Sequence, residues 1–143
     1  MKKLHIKRFD KKLPLPAYKT KGAVCLDCHA RTEITIPPRQ TALVPLNVAL
    51  KPPKRHFVLL AARSSFFKRG LLMPNGVGIG DEDFCGDTDE YHLPVFNFTD
   101  SPVTIARGDR LAQILILPYP RLALKEVKKL KSKSRGGFGT TGK

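Results

Sequence analysis

The sequence predicts an all-β fold, a jelly-roll-like β-sandwich with one short helix and a flexible Gly-rich C-terminal tail. Short apolar runs recur between turn signals at regular intervals, Pro and Gly punctuate the whole chain, and a helical period is nearly absent. With 143 residues and 41% hydrophobic content, the chain has material for one core and not for two.

Leu4 and Ile6 alternate with charged residues and read as a first strand, followed by the stiff connection Pro14-Leu15-Pro16. Residues 24–30 form a second strand, and Ile34 with Ile36 a short third that Pro37-Pro38 closes. Residues 41–50 are strand-like around Pro45, which marks an edge or a bulge because proline donates nothing to a ladder. Pro52-Pro53-Lys54-Arg55 turns the chain into the apolar strand 56–62. One or two helical turns are expected over residues 64–69, capped by Ser64 or Ser65 and stopped by Gly70. Strands at 91–98 and 102–106 are joined by Thr99-Asp100-Ser101. Gly108-Asp109 leads into 110–117, which is apolar on both faces and so belongs at the centre of a sheet. Residues 122–130 are a second helix candidate with little apolar face. Beyond Lys131 the composition turns to Ser, Gly, Thr and Lys. Residues 1–130 are therefore read as the β domain, and 131–143 as a tail that stays flexible until it meets a ligand or a neighbour.

The net charge of +14, from 26 Lys plus Arg against 12 Asp plus Glu, attracts polyanions such as nucleic acid, an anionic membrane or a nucleotide polyphosphate. The basic residues crowd both ends, above all residues 121–135, as a solvated face would. Neither aromatic interleaving nor a known module supports nucleic-acid binding. No apolar run has the length of a membrane span, and the basic N-terminus has no apolar stretch behind it, so a cytoplasmic location is expected. Asn97-Phe98-Thr99 matches a glycosylation sequon, without consequence in such a location.

Candidate chemistry concentrates in Asn75-Gly76-Val77-Gly78-Ile79-Gly80-Asp81-Glu82-Asp83-Phe84-Cys85-Gly86. Alternating glycines permit close backbone approach, and carboxylates beside such an approach are candidates for general-base work. The segment is read as half of a nucleotide pocket with Asp81 as its base. Cys25-Leu26-Asp27-Cys28-His29 matches a haem-attachment pattern but lies inside a strand, where residues three apart point to opposite faces, so it reads as buried reduced thiols. Gly137-Phe138-Gly139-Thr140-Thr141-Gly142-Lys143 matches a P-loop pattern but has neither the following Ser/Thr nor a helix. Its glycines can still present N–H groups to phosphate, beside the planar fork of Arg135. Arg63-Ser64-Ser65 follows a strand and brings hydroxyls and a guanidinium to one place, while Gln113 is an amide within an apolar strand that serves either structure or a ligand.

Five segments in order resemble the five motifs of the trimeric dUTP pyrophosphatases (dUTPases), and the resemblance covers nearly the whole chain. They are residues 23–30 with Leu26-Asp27, Arg63-Ser64-Ser65 running to Gly70, residues 75–86, Gly108-Asp109-Arg110-Leu111-Ala112-Gln113, and residues 135–142. Leu13-Pro14-Leu15-Pro16-Ala17-Tyr18 and residues 41–45 also resemble that family's framework. The chain departs from the pattern at Cys25, where Gly is usual, and at Phe84, where Tyr is usual. A few extra residues form the acidic insertion Asp87-Thr88-Asp89-Glu90, and Lys133 stands where the tail Arg is usual, with Arg135 abutting Gly136.

The resemblance implies hydrolysis of dUTP to dUMP and pyrophosphate by water attacking the α-phosphorus, with Mg²⁺ (Mg2+, magnesium) on the triphosphate and no direct protein ligand. Asp81 would activate the water. Asn75, Gly78, Ile79 and Gly80 would meet the uracil edge, and Phe84 the sugar. Arg63, Ser64, Ser65 and Gln113 would hold phosphates. Lys133, Arg135, Phe138, Gly139 and Thr140 would close over the nucleotide, with Asp27 and Asp83 in structural support. It also implies a homotrimer with sites at subunit interfaces. A dCTP deaminase of the same fold is the nearest rival, needing Glu90 at the cytosine ring. A non-catalytic nucleic-acid binder is the other.

Overall fold

The computed structural model describes residues 2–139. Eleven strands run in the order β1 (His5–Arg8), β2 (Leu26–His29), β3 (Ile34–Ile36), β4 (Thr41–Pro45), β5 (Val48–Lys51), β6 (His56–Ala62), β7 (Leu71–Leu72), β8 (Gly78–Gly80), β9 (His92–Asn97), β10 (Val103–Ile105) and β11 (Arg110–Pro118), with a 3₁₀ helix at Phe66–Arg69. Every ladder is antiparallel. One sheet has the order β2-β11-β6-β8, another β4-β9-β7, and β1-β5 and β10-β3 form two-stranded ladders. The all-β jelly-roll architecture expected from the sequence is what forms, and no helix among the described residues is long and apolar enough to cross a membrane.

Between the sheets lie Ile36, Leu46, Leu50, Leu71, Leu93, Ile105 and Ile114, all essentially fully buried. Each such side chain contributes about 1.5–3 kcal/mol. β11, apolar on both faces, pairs with β2 on one side and β6 on the other, as a central strand must. The run 41–50 breaks in two: Asn47 takes a left-handed φ of 67°, and its side chain bridges to Asp10, accepting from its N–H at 2.6 Å and donating to its carbonyl at 3.0 Å. Asn tolerates that conformation, and Pro45 ends an edge strand.

Two expectations are corrected. Residues 122–130 form no helix; Leu122, Leu124 and Leu130 are 74%, 98% and 85% exposed, and a short helix with no face to dock is unstable in water. Ser65 stands at the N-cap, but with φ −86° and ψ −2° its hydroxyl makes no cap bond. A capping side chain needs the extended backbone that this residue lacks. Gly70 does stop the helix, with φ 77° and its N–H on the Phe67 carbonyl at 3.0 Å.

Asn97, the first residue of the sequon, is fully buried. Its Nδ2 donates to the carbonyls of Ile36, Pro37 and Ser101 at 2.8–3.1 Å, and its Oδ1 accepts the N–H and Oγ1–H of Thr99 at 2.9 and 2.7 Å. The amide thereby ties β9 to the end of β3. Cys28 is likewise buried, and burial pushes its thiol up to about 12. Burial, helped by Lys19 and Arg110, holds His29 below its usual 6.5.

Asn97→Ala strands several buried carbonyls and N–H groups, and is expected to cost about 3 kcal/mol in urea unfolding. Because His29 stays neutral in the folded chain and protonates more readily in the unfolded one, stability is full above pH 6.5 and declines as pH falls below it. Replacing His29 with Gln should flatten that part of a denaturation-versus-pH curve.

Candidate active site

The site begins with a strand that has almost no side chains. β8 lies at the edge of the four-stranded sheet, with Gly78, Ile79 and Gly80 opposite Leu60, Leu59 and Val58. Its outer row of backbone N–H and C=O groups is therefore unpaired. A Cβ on Gly80 would stand 2.1 Å from the Tyr91 hydroxyl oxygen, so there is no room for one there, while one on Gly78 would stand 3.2 Å from Leu60 Cβ, a tight fit.

The outer face of this hairpin opens a cleft of about 340 Å³ that Asn75, Gly78, Ile79, Gly80, Asp81 and Phe84 line, together with Tyr91 and residues of β9. Asn75 shapes its mouth: Nδ2 donates to the Val77 carbonyl at 3.1 Å, and its own carbonyl accepts the Val77 N–H at 2.8 Å. Asp81 is exposed; its carbonyl accepts the Phe84 N–H at 3.1 Å, and its carboxylate has no hydrogen-bond partner among the described residues. Phe84 is 39% exposed and meets Tyr91 edge-to-face, ring centroids 5.2 Å apart.

The acidic turn is anchored by Glu82, which sequence reasoning passed over. Its carboxylate accepts from the Tyr119 hydroxyl at 2.7 Å and the Arg55 N–H at 2.8 Å, and these bonds hold it below the usual carboxylate range. Asp83, expected to support the turn, contributes only its carbonyl, which takes the Cys85 N–H at 2.9 Å; its carboxylate has no partner among the described residues. Tyr119 lies far along the sequence, and no local pattern distinguishes the two acids.

In the insertion, Asp89 accepts the Gly86 N–H at 2.6 Å, and the well-buried Glu90 carboxylate pairs with Arg31 through two bonds of 2.8 and 2.9 Å while also accepting the Asn47 N–H. The pair holds Arg31 above its usual value. Glu90 is thereby tied to Arg31 and Asn47 while it also lines the Asp81 cleft.

A second cluster gathers around buried Asp27 on β2. Its carboxylate meets Arg63 Nε at 3.4 Å and Arg110 Nη1 at 3.3 Å, and Arg63 also donates to the Arg110 carbonyl at 3.2 Å. Gln113 stands between Asp27 and Ala61 in register and donates to the Ala62 carbonyl at 3.1 Å. Exposed Ser64 and Ser65 follow, with hydroxyls that have no hydrogen-bond partner among the described residues. Two guanidiniums on one carboxylate leave a net positive charge suited to phosphate oxygens. Arg110 was missed as a site residue, although it sits inside the quoted Gly108 to Gln113 motif.

The two clusters are far apart in one chain. Gly80 stands level with Val58 and Gln113 level with Ala61, two strands away. At about 3.3 Å per residue and 4.8 Å per strand, the Asp81 and Gln113 backbones are about 16 Å apart, and Arg63 about 20 Å from Asp81. Within one chain the two clusters thus occupy separate places on the sheet, and the lining of the Asp81 cleft includes neither Arg63 nor Gln113. Lys133, Arg135, Phe138 and Gly139 line neither cluster; Phe138 is wholly exposed, and Thr140 lies outside the described residues.

Comparison with known proteins points to one family. A family model described as dUTPase matches residues 11–142. A deoxyuridine 5'-triphosphate nucleotidohydrolase of Anaeromyxobacter sp. (strain Fw109-5) is 41% identical over 134 residues, 92% of this chain and 89% of that protein. One from Dictyoglomus turgidum is 35% identical over 144 residues, 96% of each. Among solved structures, the Staphylococcus bacteriophage 80alpha dUTPase with dUpNHpp aligns at a TM-score of 0.86 and 23% identity over 98% of both chains. The Streptococcus mutans dUTPase aligns at 0.76 and 24% identity over 82% of this chain and 98% of that one. These last two show the shared fold; the family match over nearly the whole sequence, with relatives at this identity, shows that the chain belongs to the dUTPase family.

Proposed function

We propose that the protein hydrolyses dUTP to dUMP and pyrophosphate, with Asp81 orienting and deprotonating the water that attacks the α-phosphorus. One observation carries the reading: an unpartnered carboxylate and a half-exposed ring stand at the end of a glycine edge strand whose backbone is free. The backbone of residues 75–80 offers donors and acceptors for the edge of uracil, whereas cytosine, with its donor and acceptor reversed, would leave buried groups unpaired. Phe84 packs against the sugar, where a ribose 2′-hydroxyl is desolvated without a partner. Holding water in line with the phosphorus supplies proximity, and the carboxylate takes its proton.

Arg63, Ser64, Ser65 and Gln113 bind the phosphates, with Arg110 beside them. Mg²⁺ keeps waters while taking phosphate oxygens, so the ion would ride on the triphosphate, with the carboxylates of Asp81 and Asp83 the nearest protein oxygens of the acidic turn. When bound there, the ion neutralises charge building up on the triphosphate. The separation of Asp81 from Arg63 supports a homotrimer, in which one chain's cleft faces another chain's phosphate cluster. The tail, with Lys133, Arg135, Phe138, Gly139 and Thr140, then closes over the nucleotide and excludes water.

Asp81→Asn should lower turnover of dUTP by about 10²–10⁴-fold, with nucleotide affinity nearly intact by calorimetry; a near-normal rate refutes the base assignment. Deleting residues 135–143 should cripple turnover while leaving the assembly unchanged by light scattering. Full rate in that truncation removes the tail from the mechanism.

A further inference from the structure

The hydroxyl of Tyr91 is, among the described residues, the one buried side-chain polar atom without a hydrogen-bond partner. The residue is 5% exposed and lines the Asp81 cleft. The backbone of Gly80 lies directly on its phenol, as the 2.1 Å gap to a built Cβ shows, and its ring supports Phe84 edge-on. A buried donor left unpaired destabilises the free protein, and such groups recur where function uses them.

The residue next to Gly80 is Asp81, whose carboxylate lacks a donor among the described residues. One unsatisfied donor thus packs against Gly80, and one unsatisfied anion is borne by the next residue. The titratable groups acting on the phenol are Asp81, Cys85 and Asp89, none of them a cation. Of the other ionisable residues lining the cleft, Glu90 is tied to Arg31, and the Nδ1 of His92 is hydrogen-bonded to the Glu90 carbonyl. Burial, with those acidic neighbours, pushes the phenol up to about 12, so it remains a donor at neutral pH.

We propose that Tyr91 is a positioning residue: as nucleotide seats and the Gly80-Asp81 segment settles, its hydroxyl donates to the Asp81 carboxylate and fixes the orientation that aims it at the water. A charge-assisted bond of this kind is strong enough to select one rotamer. The inference rests on Asp81 being the base. It assigns no new contact to the substrate; Tyr91 acts through Asp81 alone.

Tyr91→Phe keeps the ring and removes the donor. The expected result is a kcat for dUTP lowered about tenfold with KM within about twofold, and a melting temperature unchanged or raised. In an Asp81→Asn background, the same substitution should leave the residual single-turnover rate unchanged, because the base whose orientation the hydroxyl fixes is already gone. Wild-type kcat in Tyr91→Phe, an equal further loss in the Asp81→Asn background, or a lowered melting temperature would each overturn the role. Wild-type protein that releases no pyrophosphate from dUTP overturns the Asp81 reading and this one together. Active wild type with an unaffected Tyr91→Phe variant overturns the Tyr91 role alone.

Discussion

Steric exclusion along β8 is the constraint on which the site depends. A strand that must lie on Leu60 and on the Tyr91 phenol has no room for a side chain at Gly80 and little at Gly78, yet it keeps a row of backbone groups on its free edge. Bare backbone at a sheet edge is a hazard in most proteins, because it invites pairing with another strand. Here β8 is three residues long, and an acidic turn follows at once, so the edge is too short and too charged to extend a sheet. What remains is a rigid ladder of donors and acceptors beside a carboxylate and a ring.

The second dependency is electrostatic. Asp27 is buried in a strand and would be costly there as a lone charge. Arg63 and Arg110 pay for it, and in doing so are themselves fixed at the end of β6 and the start of β11. The excess positive charge of that triad needs an anion, while the Asp81 cleft supplies none within reach. Each cluster is held in place by its own contacts, and on the proposed reading the two complete one site across chains.

Much of this was legible in the sequence, for identifiable reasons. β6 and β11 stand out because their apolar runs are long and bounded by turn residues, and Gly70 ends a helix by a rule that depends on one residue alone. Asp81 and Phe84 are visible because they follow alternating glycines. What was hidden depends on distant partners. Glu82 looks no different from Asp83 until Tyr119 and Arg55 are brought to it. Glu90 finds Arg31 across 59 positions, and Asn97 wears the pattern of a surface sequon while filling the core. The helix expected over residues 122–130 failed because local propensity without a docking face decides nothing.

The central claim is that Asp81 of one chain works with Arg63 of another. Subunit complementation tests it most directly. Asp81→Asn and Arg63→Ala are each expected to be nearly inactive alone; the two are unfolded together, refolded as a mixture and assayed for pyrophosphate release from dUTP. Recovered activity in the mixture, well above that of either variant refolded alone, is the expected result, since mixed assemblies contain some sites with both residues intact. A mixture as inactive as its components, with mixed oligomers present by mass spectrometry, would show that Asp81 and Arg63 must come from the same chain, and the divided site would be wrong.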